Sequence, residues 1–192
     1  MSQTKPASIG HNKGPTLEPG QGWRRFAWRK ARADLLPSLP IEVVRIRVKR
    51  AAEIGMDYRS YARVRASTGH DIVAILFSSN ALRLFRDQQN LSVERAAKLA
   101  LIQNCERRGL AIAPLSVPKM GQATEGHLDG VSPAPPAFAS WASQRDHIRG
   151  AYGAGLAADH VLLIGDTSEE RRWSEAGRLA GYLPASQYFS AP

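Results

Sequence analysis

Two short stretches of the chain are wholly or almost wholly apolar and partly β-branched: residues 72–77, Ile-Val-Ala-Ile-Leu-Phe, and residues 160–164, His-Val-Leu-Leu-Ile. Continuous apolar runs of this length, closed by small polar residues, are the pattern of parallel strands buried on both faces. The first run also fits a buried helix capped by Asp71, because Ile72, Ile75, Leu76, Ser79 and Leu82 share a helical face. Around these runs the spacing predicts helices over residues 92–107, 137–152 and 168–179, and a weaker strand over 110–115. Strand and helix then alternate, which predicts a small α/β module over residues 70–190 with three parallel strands and a Pro/Gly-rich loop at 118–136.

Upstream of residue 70 the period becomes helical. Trp23, Phe26, Ala27, Lys30 and Ala31 fall near one stripe of a helix over residues 21–36, which Pro37 and Pro40 end. A second helix is predicted from residue 40 or 41 to 54, with Val44, Val48, Ala51 and Ala52 facing inward and Arg45, Arg47, Lys49 and Arg50 on its wetter sides. Gly55 supplies a left-handed stop and Asp57 an N-cap for a third helix over residues 58–67. The expectation is a mixed α/β chain, with a helical module at 23–67 ahead of the α/β module. Residues 1–22, with four Gly and three Pro, read as a flexible leader.

Charge changes this picture. The 192 residues carry a net +9, and residues 23–65 hold twelve Lys and Arg against four acids, whereas residues 66–192 hold twelve of each. A local excess of one sign calls for a polyanion, most simply nucleic acid, with an acidic protein surface as the other candidate partner. The single Cys105 excludes an internal disulfide and a zinc site built on several thiolates. Its position late in a helical stretch, with no neighbouring His, reads as packing. No apolar run approaches the roughly 20 residues of a membrane span, and the first twenty residues lack the apolar centre of a secretion signal, so the expectation is a soluble, cytoplasmic protein.

Within the basic segment, residues 47–66 form a window whose positions can be checked against a turn glycine at Gly55. Ala51 falls where one helix must let another approach, Ile54 and Met56 bracket the turn, and Tyr61 and Val64 face the first helix. This window resembles a helix-turn-helix DNA-binding segment, with one departure: Arg50 stands where such segments carry an apolar residue. The resemblance implies that the second helix reads the major groove, with Tyr58, Arg59 and Arg63 toward the bases and Ser60 touching base or phosphate. Arg24, Arg25, Arg29, Arg45 and Lys49 would anchor phosphates.

The α/β module offers a second class of function, an enzyme or a binder of phosphoryl ligands. Ligands of open parallel sheets gather beyond the carboxyl ends of strands, here Ser78, Ser79 and Asn80 after one run and Asp166 and Thr167 after the other. The segment from Gly165 to Glu170 serves equally as an ordinary helix cap. No Gly-x-Gly-x-x-Gly follows either strand, so no dinucleotide cofactor is expected, and no pair among the five histidines has a metal-ligand spacing. Neither Ser78 nor Ser79 sits in the Gly-x-Ser-x-Gly turn of a serine hydrolase. The leading expectation is therefore nucleic-acid binding by the basic helices, with ligand binding near Asn80 and Asp166, or docking of the basic surface on an acidic protein, as alternatives.

Overall fold

The computed structural model describes residues 39–153 and 155–190. The expected leader at 1–22 and the helix over 21–36, with Arg24, Arg25 and Arg29, lie outside the described residues. From residue 41 onward the fold is mixed α/β, built on a five-stranded, fully parallel sheet. The strands are β1 (Ala74–Ser78), β2 (Glu106–Ala111), β3 (Gly130–Pro133), β4 (Val161–Gly165) and β5 (Gly181–Pro184), in spatial order β3-β2-β1-β4-β5. The helices are α1 (Ile41–Glu53), α2 (Tyr58–Thr68), α3 (Val93–Ala100), α4 (Val117–Ala123), α5 (Trp141–Tyr152), α6 (Ser168–Ala176) and α7 (Ala185–Ser190).

The alternation of side chains along the central strands produces two cores. Ile75 and Phe77 of β1, with Leu162 and Ile164 of β4, face a layer holding Ala51 and Ile54 of the α1 end, Tyr61 of α2, Leu99 of α3, Met120 of α4 and Tyr188 of α7. Their neighbours Ala74, Leu76, Val161 and Leu163 face Ile148 and Ala151 of α5 and Trp173 of α6. Both faces are thus covered, which is why these strands read as unbroken apolar runs. Residues 74–78 are strand, so the helical alternative for the first run does not apply.

The sheet has five strands where three were expected. The two unforeseen ones, β3 and β5, are four-residue edge strands, Gly-Val-Ser-Pro and Gly-Tyr-Leu-Pro, each ending in the proline that an edge tolerates. Residues 118–136 accordingly hold most of α4 and all of β3 rather than a single loop. The helix expected over 92–107 stops at Ala100, because Glu106, Arg107 and Arg108 are drawn into β2 against Ala74, Ile75 and Leu76. The strand expected at 110–115 begins four residues earlier for the same reason.

α1 and α2 share the first core with the sheet. Their connection is a complete Schellman stop: Gly55, at φ 68°, donates to the Ala52 carbonyl at 3.0 Å, and Met56 donates to the Ala51 carbonyl at 2.8 Å. A Cβ on Gly55 would stand 3.0 Å from the Tyr188 hydroxyl, so both backbone and space exclude a side chain there. Tyr188 itself donates to the Ile54 carbonyl at 2.9 Å, tying the last helix to the α1–α2 turn.

Candidate functional site

Asp57 caps α2 by accepting the Ser60 N–H at 2.9 Å, and Gly69 closes it in the left-handed region. With both ends fixed, the rotation of α2 is set by burial of Tyr61, whose hydroxyl donates to Asp71 at 2.8 Å. Arg59 and Arg63 are then exposed on one face, one turn apart, and neither has an ion-pair partner among the described residues. Tyr58 is half-buried beside them. Ser60 does not share that face. It is 5% exposed, and its hydroxyl accepts a 2.7 Å bond from Gln187 of α7, so its expected contact with base or phosphate gives way to a structural one.

On α1 the inward face is the expected one at Val44, half-buried, and Ala51, buried, and departs from it elsewhere. Val43, Arg47 and Arg50 also turn toward the molecule, while Val48 is 46% exposed and Ala52 lies open. Arg50 is the cause. Its guanidinium donates from Nε to Asp71 at 2.9 Å, from NH1 to Glu53 and the Gln103 carbonyl at 3.3 Å each, and from NH2 to the carbonyls of Ile72 at 2.8 Å and Asn104 at 3.0 Å. Burial disfavours its charge, but Asp71 and Glu53 more than offset this and hold the group above the ordinary arginine value. The residue that departs from the helix-turn-helix pattern is thus a bracket joining α1 to the start of β1, and it does not line a wet side. Arg65 is partly drawn into the same cluster, 3.8 Å from Asp71. Arg45 and Lys49 stay on the exposed side of α1; Lys49 is 82% exposed and only grazes Glu53 at 4.0 Å.

The carboxyl edge of the sheet brings the other candidates together. The strand order reverses between β1 and β4: the chain leaves β1 toward α3 on one face and leaves β4 toward α6 on the other, opening a crevice between their ends. Asn80 and Asp166 both stand there, linked through Glu170, which is fully buried. The Glu170 carboxylate accepts from Asn80 Nδ2 at 3.1 Å and from the backbone N–H groups of Asp166 and Thr167. The Thr167 hydroxyl in turn accepts the Glu170 N–H at 3.3 Å, completing a capping box. Asp166 also lies 3.5 Å from Arg83. The amides that a phosphate would use are therefore held by the protein's own carboxylate, and the capping role of this turn prevails.

Ser78 and Ser79 are buried, at 0% and 1% exposure. The Ser78 hydroxyl accepts from the Ala81 N–H at 3.0 Å and that of Ser79 from the Ile112 N–H at 3.3 Å. Both tie the end of β1 to its surroundings rather than opening into the crevice. What sequence reasoning missed at this edge is Trp173 and Glu169 of α6 and the 133–137 segment, which β3 brings in from far along the chain. No group of three His, Cys, Asp or Glu among the described residues is placed to hold a metal ion.

His70 and His160 stack with ring centroids 4.7 Å apart at the opposite, amino end of the sheet, with His70 3.5 Å from Asp159. Cys105 is partly buried against the first core, and burial pushes its thiol up to about 12. No helix among the described residues is long and apolar enough to cross a membrane. Comparison with protein-family models, with curated proteins and with solved structures finds no match for this chain.

Proposed function

We propose that the chain binds nucleic acid through the solvent faces of α1 and α2, with Arg59 and Arg63 meeting the phosphates that flank the groove α2 enters and Arg45 and Lys49 meeting phosphates further along the backbone. The observation that carries this reading is the exposure of Arg59 and Arg63 side by side on a capped, packed helix, without ion-pair partners among the described residues. A guanidinium held by a carboxylate must lose that partner before it meets a phosphate, as Arg50 would; Arg59 and Arg63 need not. The four exposed cations stand on elements held rigidly to the sheet, so little ordering accompanies binding.

The test is fluorescence anisotropy of a labelled duplex DNA and a labelled RNA hairpin against the full chain at increasing salt. Four phosphate contacts give a log–log slope of about −3.6 on duplex DNA, a loss of roughly 150-fold in affinity between 50 and 200 mM salt. Arg59→Glu with Arg63→Glu is expected to reduce the slope by about 1.8 and to leave the melting temperature unchanged. No binding of either nucleic acid at 50 mM salt, or an unchanged slope in the double variant, would refute the reading and favour an acidic protein as the partner.

A further inference from the structure

A cavity of about 470 Å³ opens beyond the carboxyl ends of β1, β2 and β3, against the start of α6. That volume lies in the range of small-molecule sites, and the location is where open parallel sheets take their ligands. Its walls are apolar, formed by Ile112 and Leu115 after β2, Pro135 and Pro136 after β3, and Trp173 of α6. Its polar groups are few, and one of them is charged. Asn80, Ser116, Thr167 and Glu169 contribute to the lining, and among the described residues no Lys, Arg or His does.

Two further observations bear on what such a cavity takes. First, the carboxylate of Glu169 is oriented from across the site: Gln144 of α5, 2% exposed, donates from Nε2 to Glu169 at 3.2 Å and to the Ala139 carbonyl at 3.0 Å. The other Glu169 oxygen meets Arg172, on the exposed side, at 3.3 Å. Second, Trp173 is 4% exposed, and its indole Nε1 is buried with no hydrogen-bond acceptor among the described residues.

The balance of charge decides the ligand class. An anion would meet Glu169 with no cation in the described lining, since Arg172, which pairs with the far carboxylate oxygen, is exposed and stands outside the cavity, and the nearby amides of Asp166 and Thr167 are held by the buried Glu170 carboxylate. A cationic head on an apolar body meets the opposite conditions: a carboxylate for the charge and aromatic and proline surface for the body. The geometry points to a binding site for a small organic amine, its body against Trp173 and the 135–136 prolines and its ammonium on Glu169. This site stands independently of the nucleic-acid face, which lies on the α1–α2 helices.

Three probes that share a phenethyl body test it: phenethylamine, 2-phenylethanol and 3-phenylpropionate, titrated into the full 15N-labelled chain while following the Trp173 side-chain N–H, assigned with Trp173→Phe. Phenethylamine is expected to shift that resonance and to bind at least about tenfold more tightly than 3-phenylpropionate, with the alcohol between them. Glu169→Gln is expected to bring the amine down to the level of the alcohol without changing the alcohol itself. Ala137→Phe, which fills the mouth from an exposed rim position, is expected to remove binding of all three. Absence of any shift at millimolar probe, tightest binding by the carboxylate, or an amine preference that survives Glu169→Gln would each overturn the proposal.

Discussion

Replacing Arg50 with Met tests whether this arginine is a bracket of the fold or a cation held in reserve for a ligand. Its side chain is 12% exposed and makes five hydrogen bonds, three of them to carbonyls of Ile72, Gln103 and Asn104 that no helix or strand satisfies in its place. Three neutral acceptors losing their donor cost about 1–3 kcal/mol together, and the charged bond to Asp71 adds about 1 kcal/mol once discounted for that carboxylate's access to water. Methionine keeps the apolar stem packed, so no cavity cost is added. The expected loss is about 2–4 kcal/mol, a fall of roughly 5–15 °C in melting temperature for a chain of this size. Urea unfolding followed by circular dichroism measures it. Arg50→Lys should fall between parent and Met variant, since one ammonium cannot reach all the acceptors of a guanidinium fork. A Met variant within about 0.5 kcal/mol of the parent would refute the bracket and return Arg50 to the pool of available cations.

Three other outcomes follow from the packing. Bonds from Ser60 to Asp57 and from Arg107 to Asp129 outweigh the opposing effect of burial and hold both carboxyls below their ordinary value of 3.8. Their stabilising contributions are complete above that value and are lost as pH falls below it, so unfolding free energy should drop on acidification below about pH 4, and less steeply in Asp129→Asn; an identical slope in that variant would contradict the assignment. Cys105, its thiol pushed up to about 12, should react with iodoacetamide at pH 8 at least about tenfold more slowly in the folded chain than in urea, and equal rates would show that the thiol is open. In Gly165→Ala the new Cβ would stand 2.7 Å from the Tyr182 ring and 2.8 Å from the Glu170 carboxylate, so a loss of about 1–3 kcal/mol is expected by thermal unfolding, and a neutral result would mean the β4 end is looser than it stands.

The parts of the fold that could be read in advance are those where a local pattern and the tertiary demand coincide. Asp57 and Gly55 do at the turn what their side chains dictate anywhere, and the β1 and β4 runs are apolar because both their faces are covered. Where the two diverge, the pattern misleads. The apolar spacing of α3 runs on through Leu101 and Ile102, but backbone pairing with β1 claims Glu106, Arg107 and Arg108 regardless of their charge. α4 carries a proline and a glycine in seven residues and is held by the burial of Met120, a contact that spacing alone does not announce. α1 is the mixed case: Val44 and Ala51 face inward as their spacing predicts, whereas Val48 and Ala52 are exposed and Arg50, drawn in by five hydrogen bonds, takes a place on the buried side.

The same contrast runs through the candidate sites. Arg59 and Arg63 were legible as neighbours because four residues make one helical turn, whereas Ser60, between them in sequence, is buried by a partner 127 residues away. Asn80 and Asp166 were legible as strand-end residues, and the structure joins them through Glu170. The cavity beside them was not legible, since its walls come from the ends of three strands, one of which, β3, has no apolar signature.

The most direct test of the account is the salt dependence of nucleic-acid binding by the parent chain and by Arg59→Glu/Arg63→Glu, run beside Arg50→Met. The account predicts steeply salt-sensitive binding in the parent, a slope lower by about 1.8 in the charge-reversed chain at unchanged stability, and a lower melting temperature with an intact slope for Arg50→Met, measured where that variant is folded. Parent and charge-reversed chains with the same slope, or no binding at low salt, would contradict it.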